Sequence, residues 1–147
     1  MRDIKSNTQI VHLGSITLSG TTPGASAWVD TRGFDAAMIV LHTNTVTDAG
    51  TASGFTFTAQ HSDLTTAASA AALVAADTTD GTIALTVTAD NDDNKLIGAV
   101  GYRGAKRYLR LNGVGTTGTD ATVTVYAVIE RAAQSPTTFV GASVAAT

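Results

Sequence analysis

The sequence predicts an all-β protein: one antiparallel β-sandwich, jelly-roll-like, with extended arms at the N- and C-termini. Three observations carry that expectation. Apolar residues recur at every second position in several short segments, Gly- and Thr-rich turns separate those segments at close spacing, and alternating β and α units are missing. At 147 residues the chain is long enough for one domain with a proper core. Its 44% hydrophobic and 14% charged content is too apolar for a disordered chain, and Gly and Thr break it up too often for a helical bundle. The expected division is an arm over 1–8, a sandwich over 9–131 and a second arm over 132–147.

Gln9 to Leu18 reads as a strand whose apolar phase changes partway. Val11 and Leu13 share one parity and Ile16 and Leu18 the other, so a bulge at Gly14-Ser15 is expected to reset the alternation. Ser19 to Gly24 is a turn, and Ala25 to Thr31 a short strand with Trp28 and Val29 on opposite faces. The run Ala36 to Leu41 is apolar on both parities, as for a central strand covered on each side, and Asn44 to Gly54 reads as a polar loop. Phe55, Phe57 and Ala59 alternate with Thr56, Thr58 and Gln60. Thr65 to Ala76 supports either a short helix, from its alanines, or a loop with a brief strand, because Leu73 and Val74 are its only large apolar groups.

Ile83, Leu85 and Val87 alternate with small and polar residues, and an acidic loop, Asp90 to Lys95, follows. Ala121 to Glu130 has the cleanest alternation, with Val123, Val125, Ala127 and Ile129 on one face. Ile97 to Leu111 reads as two strands folded back at Arg103-Gly104-Ala105-Lys106. In its second half Lys106, Tyr108 and Arg110 fall on one face, and Arg107, Leu109 and Leu111 on the other. A Tyr flanked by two cations suits contact with a partner surface, as it suits an ordinary solvated sheet face.

No group of residues spells out a reaction. Cysteine is absent, which excludes disulfides and thiolate chemistry, and no Gly-x-Ser-x-Gly occurs. Gly113-Val114-Gly115-Thr116-Thr117-Gly118 matches a dinucleotide fingerprint, but the mechanism needs a helix N-terminus next, and a Thr/Val strand follows; a hairpin loop is the better reading. Asp90, Asp92 and Asn94 imitate the start of a calcium loop, yet Lys95 stands where the motif needs Gly; a solvated turn is the alternative. His12, His42 and His61 are spread over different segments, with nothing in their spacing to favour zinc.

The net charge of −3 gives no global attraction to nucleic acid or to an anionic membrane. The cationic group Arg103, Lys106, Arg107 and Arg110 is small, and ion pairs with the acidic loop or with a neighbouring subunit account for it better than phosphate binding. The N-terminal MRDIKSNTQ lacks the apolar core of a secretory signal, and the longest apolar run is far too short to cross a bilayer. The expectations are therefore a non-enzymatic protein with no cofactor, metal, nucleic-acid, membrane or small-molecule partner.

Three segments in order, VDTRGFDAAMIVL, FTFTAQHSD and DNDDNKLIGAVGYRGAKRYLRL, resemble small structural proteins of tailed bacteriophages. There a GYxGxKRYxR segment follows an Asp-rich turn, and the chain closes on a strand and a short tail. The resemblance covers about Val29 to about Arg131. It implies a virion component, a decoration (cement) protein clamping the outer surface of the head, with the major capsid protein or other virion proteins as partners. A tail or neck component of the virion is the alternative place. A weaker similarity links AKRYLRL to galactose-binding-like carbohydrate modules, which are jelly rolls too.

Threonine-rich outer faces and few charges suit packing against other protein. The arms carry isolated apolar anchors: Ile4 in one, and Phe139, Val140 and Val144 in the other. Ordering such tails costs about 1–2 kcal/mol of backbone entropy per residue, so neighbouring copies in a homo-oligomer are expected to hold them. The partner interface is thus expected at Arg103, Lys106, Arg107, Tyr108, Arg110, Phe139, Val140 and Val144.

Overall fold

The computed structural model describes residues 7–50 and 54–132, with side chains to 130. Ten strands lie among them: β1 (Thr8–Ser19), β2 (Gly24–Ala25), β3 (Val29–Asp30), β4 (Phe34–Asp48), β5 (Phe55–Ser62), β6 (Ala71–Ala72), β7 (Ala84–Val87), β8 (Leu96–Tyr102), β9 (Tyr108–Val114) and β10 (Asp120–Ala132). The first sheet runs β1-β10-β4-β8, and the second runs β2-β9-β5-β6, with β3 also on β9 and β7 also on β5. All pairings are antiparallel. Counting β2 with β3 as one interrupted strand and β7 as the main edge, this is the order of a jelly roll, with the chain passing repeatedly between layers.

Alternation explains which faces meet. Val11, Leu13, Ile16 and Leu18 of β1, Ile39 and Leu41 of β4, Val100 of β8 and Val123, Val125, Ala127 and Ile129 of β10 are buried from one side. Phe55, Phe57 and Ala59 of β5, Val87 of β7, and Leu109 and Leu111 of β9 meet them from the other. The phase change in β1 is a register shift between His12 and Ser15, where Gly14 takes a φ of +100°, a conformation that L side chains rarely adopt.

Several expectations need correction. Arg103 to Lys106 is no hairpin turn: β8 pairs with β4 in one sheet and β9 with β5 in the other, so the chain crosses between layers there. The polar stretch after His42 is strand as far as Asp48, because Val46 is buried and loop 90–95 bonds to this end of β4. The run Ala36 to Leu41 is covered on one side only; Ile39 and Leu41 are buried, whereas Met38 is 38% exposed. Of the two readings of residues 65–76, the loop with a brief strand is the one observed: two short 3-10 turns flank β6, with Leu73 buried and Val74 exposed. The expected inward position Ile83 is exposed just before β7. The sandwich spans Thr8 to Ala132, one residue beyond the expected boundary at each end, and residues 1–6 and 133–147 of the expected arms lie outside the described residues.

The glycines of 113–118 serve packing and turning. Gly113 sits on the inward parity of β9, opposite Phe57, and a Cβ there would meet the Phe57 ring at 2.6 Å and Leu18 at 2.8 Å. Gly118 has a φ of +84° in the turn into β10. Replacing Gly113 by Ala is expected to cost about 1–3 kcal/mol through overpacking, read from the urea-unfolding midpoint. An unchanged midpoint would show that Phe57 and Leu18 move aside freely.

Candidate functional site

Most of the expected interface residues surround the crossing from β8 to β9. The Tyr102 hydroxyl closes this crossing loop on itself: it accepts the Lys106 N–H and donates to the Lys106 carbonyl, each at 2.9 Å. Tyr102 is buried at the end of β8, and burial raises its phenol pKa above the ordinary value. Gly104 lies directly over the Tyr102 ring, where a Cβ would come within 2.5 Å of a ring carbon. The ring of His61, on β5 of the opposite sheet, meets Tyr102 edge-on at 5.9 Å, its Nδ1 lying 3.3 Å from the hydroxyl.

The cations around this joint are engaged with groups of the same chain. Arg107 holds Asp30 of β3 through Nε at 3.0 and 3.1 Å and through a second guanidinium nitrogen, and it lies 4.8 Å over the Tyr108 ring. Lys106 pairs with Asp63, Arg103 donates to the Ala76 carbonyl at 3.0 Å, and Arg110 donates to Gln60 at 2.9 Å while stacking 4.4 Å over Trp28. The partners are therefore Asp30 and Asp63, not the acidic loop. Arg107 also precedes β9 and does not share the buried face of Leu109 and Leu111. Phe139, Val140 and Val144 lie outside the described residues.

Electrostatics follow from these contacts. The hydrogen bond from Arg107 holds the Asp30 carboxyl below its usual range, against the opposing effect of burial. Burial lowers the Arg110 pKa, its guanidinium carbon lying 4.4 Å over the Trp28 ring. Trp28 is only 6% exposed, and Arg110 lies over its ring.

Asp90 and Asp92, weighed for calcium with Asn94, are held in local bonds, as is their neighbour Asp93, and the Asn94 N–H donates to the Asn44 carbonyl at 3.3 Å. Asp90 accepts the Ala49 N–H at 2.8 Å, Asp93 accepts that of Val46, and Asp92 accepts that of Ala89 while pairing with Lys95 at 3.2 Å. The acidic loop thus fastens the far end of β4 and the segment after it. His12 stacks on Tyr126 at 5.4 Å, His42 bonds Asn44, and His61 meets Tyr102, so the three imidazoles stay apart. Among the described residues no three His, Asp or Glu side chains converge as a metal site.

The solvent face of the first sheet carries a feature the sequence reading missed. Ile10, Val128, Met38 and Gly101 stand side by side across its four strands, and the next row is His12, Tyr126, Val40 and Ala99. Ile10 is 46% and Met38 38% exposed. Ala36, Met38, Thr79, Gly101, Val128 and Glu130 line a shallow depression of about 250 Å³ beside them. The signal was present in the apolar residues on both parities of 36–41; what it announced was an uncovered apolar face.

No family model matches the chain, and no curated protein is similar to it.

Two outcomes test the joint. Tyr102→Phe removes both bonds to Lys106 and is expected to cost about 1–2 kcal/mol in urea unfolding, with faster amide exchange at Lys106; unchanged exchange there would show that the hydroxyl does not hold the crossing. Asp30 has a lowered folded pKa, so its contribution is full above the unfolded value of about 3.9 and is lost as pH falls through the folded one. The stability gap between wild type and Asp30→Asn should therefore be constant from about pH 7 to about pH 5 and close below about pH 4. A gap independent of pH would contradict the Arg107–Asp30 assignment.

Proposed function

We propose that this chain is a non-enzymatic structural protein of a tailed-phage virion, a capsid decoration (cement) protein that binds the outer surface of the head. The single observation that carries the reading is the apolar solvent face of the first sheet. A face bearing Ile10, Met38, Val40 and Val128 in register, with Glu130 at its border, suits burial against another protein. Virion assembly offers such a surface in many symmetric copies, and the jelly roll supplies a rigid frame for it. The fold by itself hosts many functions, so the phage assignment draws on the ordered motifs between Val29 and Arg131.

The crossing enters this reading as a support for the frame. Lys106, Arg107 and Arg110 are paired within the chain, and Tyr108 and Arg110 lie on β9 of the second sheet, not on this face, so these residues take a lesser share in the proposed interface. A glycan-binding role would need a ring open to stack on a sugar, and Trp28 is covered by Arg110. A tail or neck position within the virion uses the same surface and differs only in its partner.

Met38→Lys places a charge on the apolar face without touching the core. It is expected to weaken attachment to heads lacking the protein at least about tenfold in a co-sedimentation assay, with an unchanged unfolding midpoint. Undiminished attachment would remove this face from the proposal; failure of the wild type to attach to heads at all would remove the proposal itself.

A further inference from the structure

We infer that the depression on the outer face of the first sheet takes one apolar side chain of the partner protein, and that Glu130 at its rim takes a lysine or arginine next to that side chain. The inference rests on the reading of this face as a docking surface and adds the partner's local chemistry. It starts from the side chains that stand outward. Glu130 lies opposite Ala36, Val128 opposite Met38, and Met38 in turn opposite Gly101. Large and small residues therefore adjoin, with Met38 and Val128 rising beside Ala36 and Gly101.

The small residues make the hollow and Thr79 closes one side of it. The Thr79 N–H donates to the Gly101 carbonyl at 3.2 Å, and its hydroxyl occupies the space that a Cβ on Gly101 would need. The enclosed volume of about 250 Å³ is below the about 300–1,000 Å³ of small-molecule pockets. A hollow of this size in a protein-docking face suits one anchoring side chain, since interface energy concentrates in a few residues that fill such pockets. Apart from Thr79 and Glu130 its lining offers only apolar side chains, so the anchor is apolar too.

Charge complementarity selects the neighbour of that anchor. Glu130 is exposed, and among the described residues no cation pairs with it: Lys106 is taken by Asp63, Arg107 by Asp30 and Lys95 by Asp92, while Arg103 donates to the Ala76 carbonyl. A surface closing over this face without a cation would strip water from the carboxylate and return nothing. A lysine or arginine at the rim removes that penalty and fixes the orientation of docking. A nucleic acid or an anionic membrane would bring like charge to Glu130. A second copy docked face to face fits no better. An isologous interface uses the same patch twice, and the rows Thr8, Glu130, Ala36 and Ile10, Val128, Met38, Gly101 contain no lysine or arginine.

Co-sedimentation of the full chain with heads lacking the protein, at about 0.05 M and about 0.3 M salt, tests both halves of the inference. Glu130→Gln keeps the shape and removes the charge. It should weaken attachment about fivefold to tenfold at low salt and flatten the salt dependence seen for the wild type, with an unchanged unfolding midpoint. Ala36→Leu fills the hollow from the solvent side and should weaken attachment at least about tenfold at both salt concentrations. Wild-type attachment by both variants, with Met38→Lys still defective, would overturn the inference and leave the face as the docking surface. Tighter attachment by Glu130→Gln would also overturn it, because the partner would then present no cation. A wild-type dimer in sedimentation equilibrium that Ala36→Leu abolishes would overturn it by making a second copy the occupant. A wild type that attaches to no head would remove the docking surface and this inference together.

Discussion

The register of β10 against β4 is the constraint from which the rest of the molecule follows. It is the longest ladder in the structure, running from Asp120 opposite Asp48 to Ala132 opposite Phe34. Val123, Val125, Ala127 and Ile129 face the second sheet only in this register, together with Ile39 and Leu41. A slip by one residue would turn all of them to water, so the buried face fixes the pairing. The same register leaves no choice about Met38, Val40 and Val128: they must stand on the solvent side. The apolar outer face is the direct complement of the core, built from the other parity of the same two strands.

Around this centre the polar groups act mainly as fasteners. Tyr102 closes the crossing between the layers, Asp30 and Arg107 tie β3 to the start of β9, and Asp90 and Asp93 pin the distal end of β4 and the segment after it. Ser26 donates to the Ala27 carbonyl and accepts the Leu111 N–H at 3.1 Å, joining the interrupted strand β2–β3 to β9. Charge in this protein is scarce, and where it occurs near the joints it is spent on such ties. The proposed role in adhesion would call for a rigid frame and a surface that water wets poorly.

The fold was legible wherever one face of a strand is buried. β10, β5 and the bulge of β1 follow from alternation alone, since a period of two has only one structural solution in a half-buried sheet. Three features were hidden for physical reasons. The crossing at 103–107 looks like a hairpin because a short Gly-containing link suits either outcome, and partner choice between two sheets is made by contacts distant in sequence. The run 36–41 does not say whether its second apolar parity is covered by protein or left open. The cations of 103–110 invite a surface role, but their partners Asp30 and Asp63 lie some 77 and 43 residues away, beyond the reach of local pattern. Local sequence thus gave the strands and the core, whereas tertiary pairing decided which charges were free.

The central claim is that the solvent face of β1, β10 and β4 exists to be covered by protein. Hydroxyl-radical labelling of Met38 measures this most directly, because a thioether reacts according to its exposure. Compared between the isolated chain at low concentration and the intact virion, Met38 should oxidise readily in the first and be strongly protected in the second. Equal oxidation in both states would mean that this face stays open to water, and the account of the molecule as a piece of cohesive shell would be wrong.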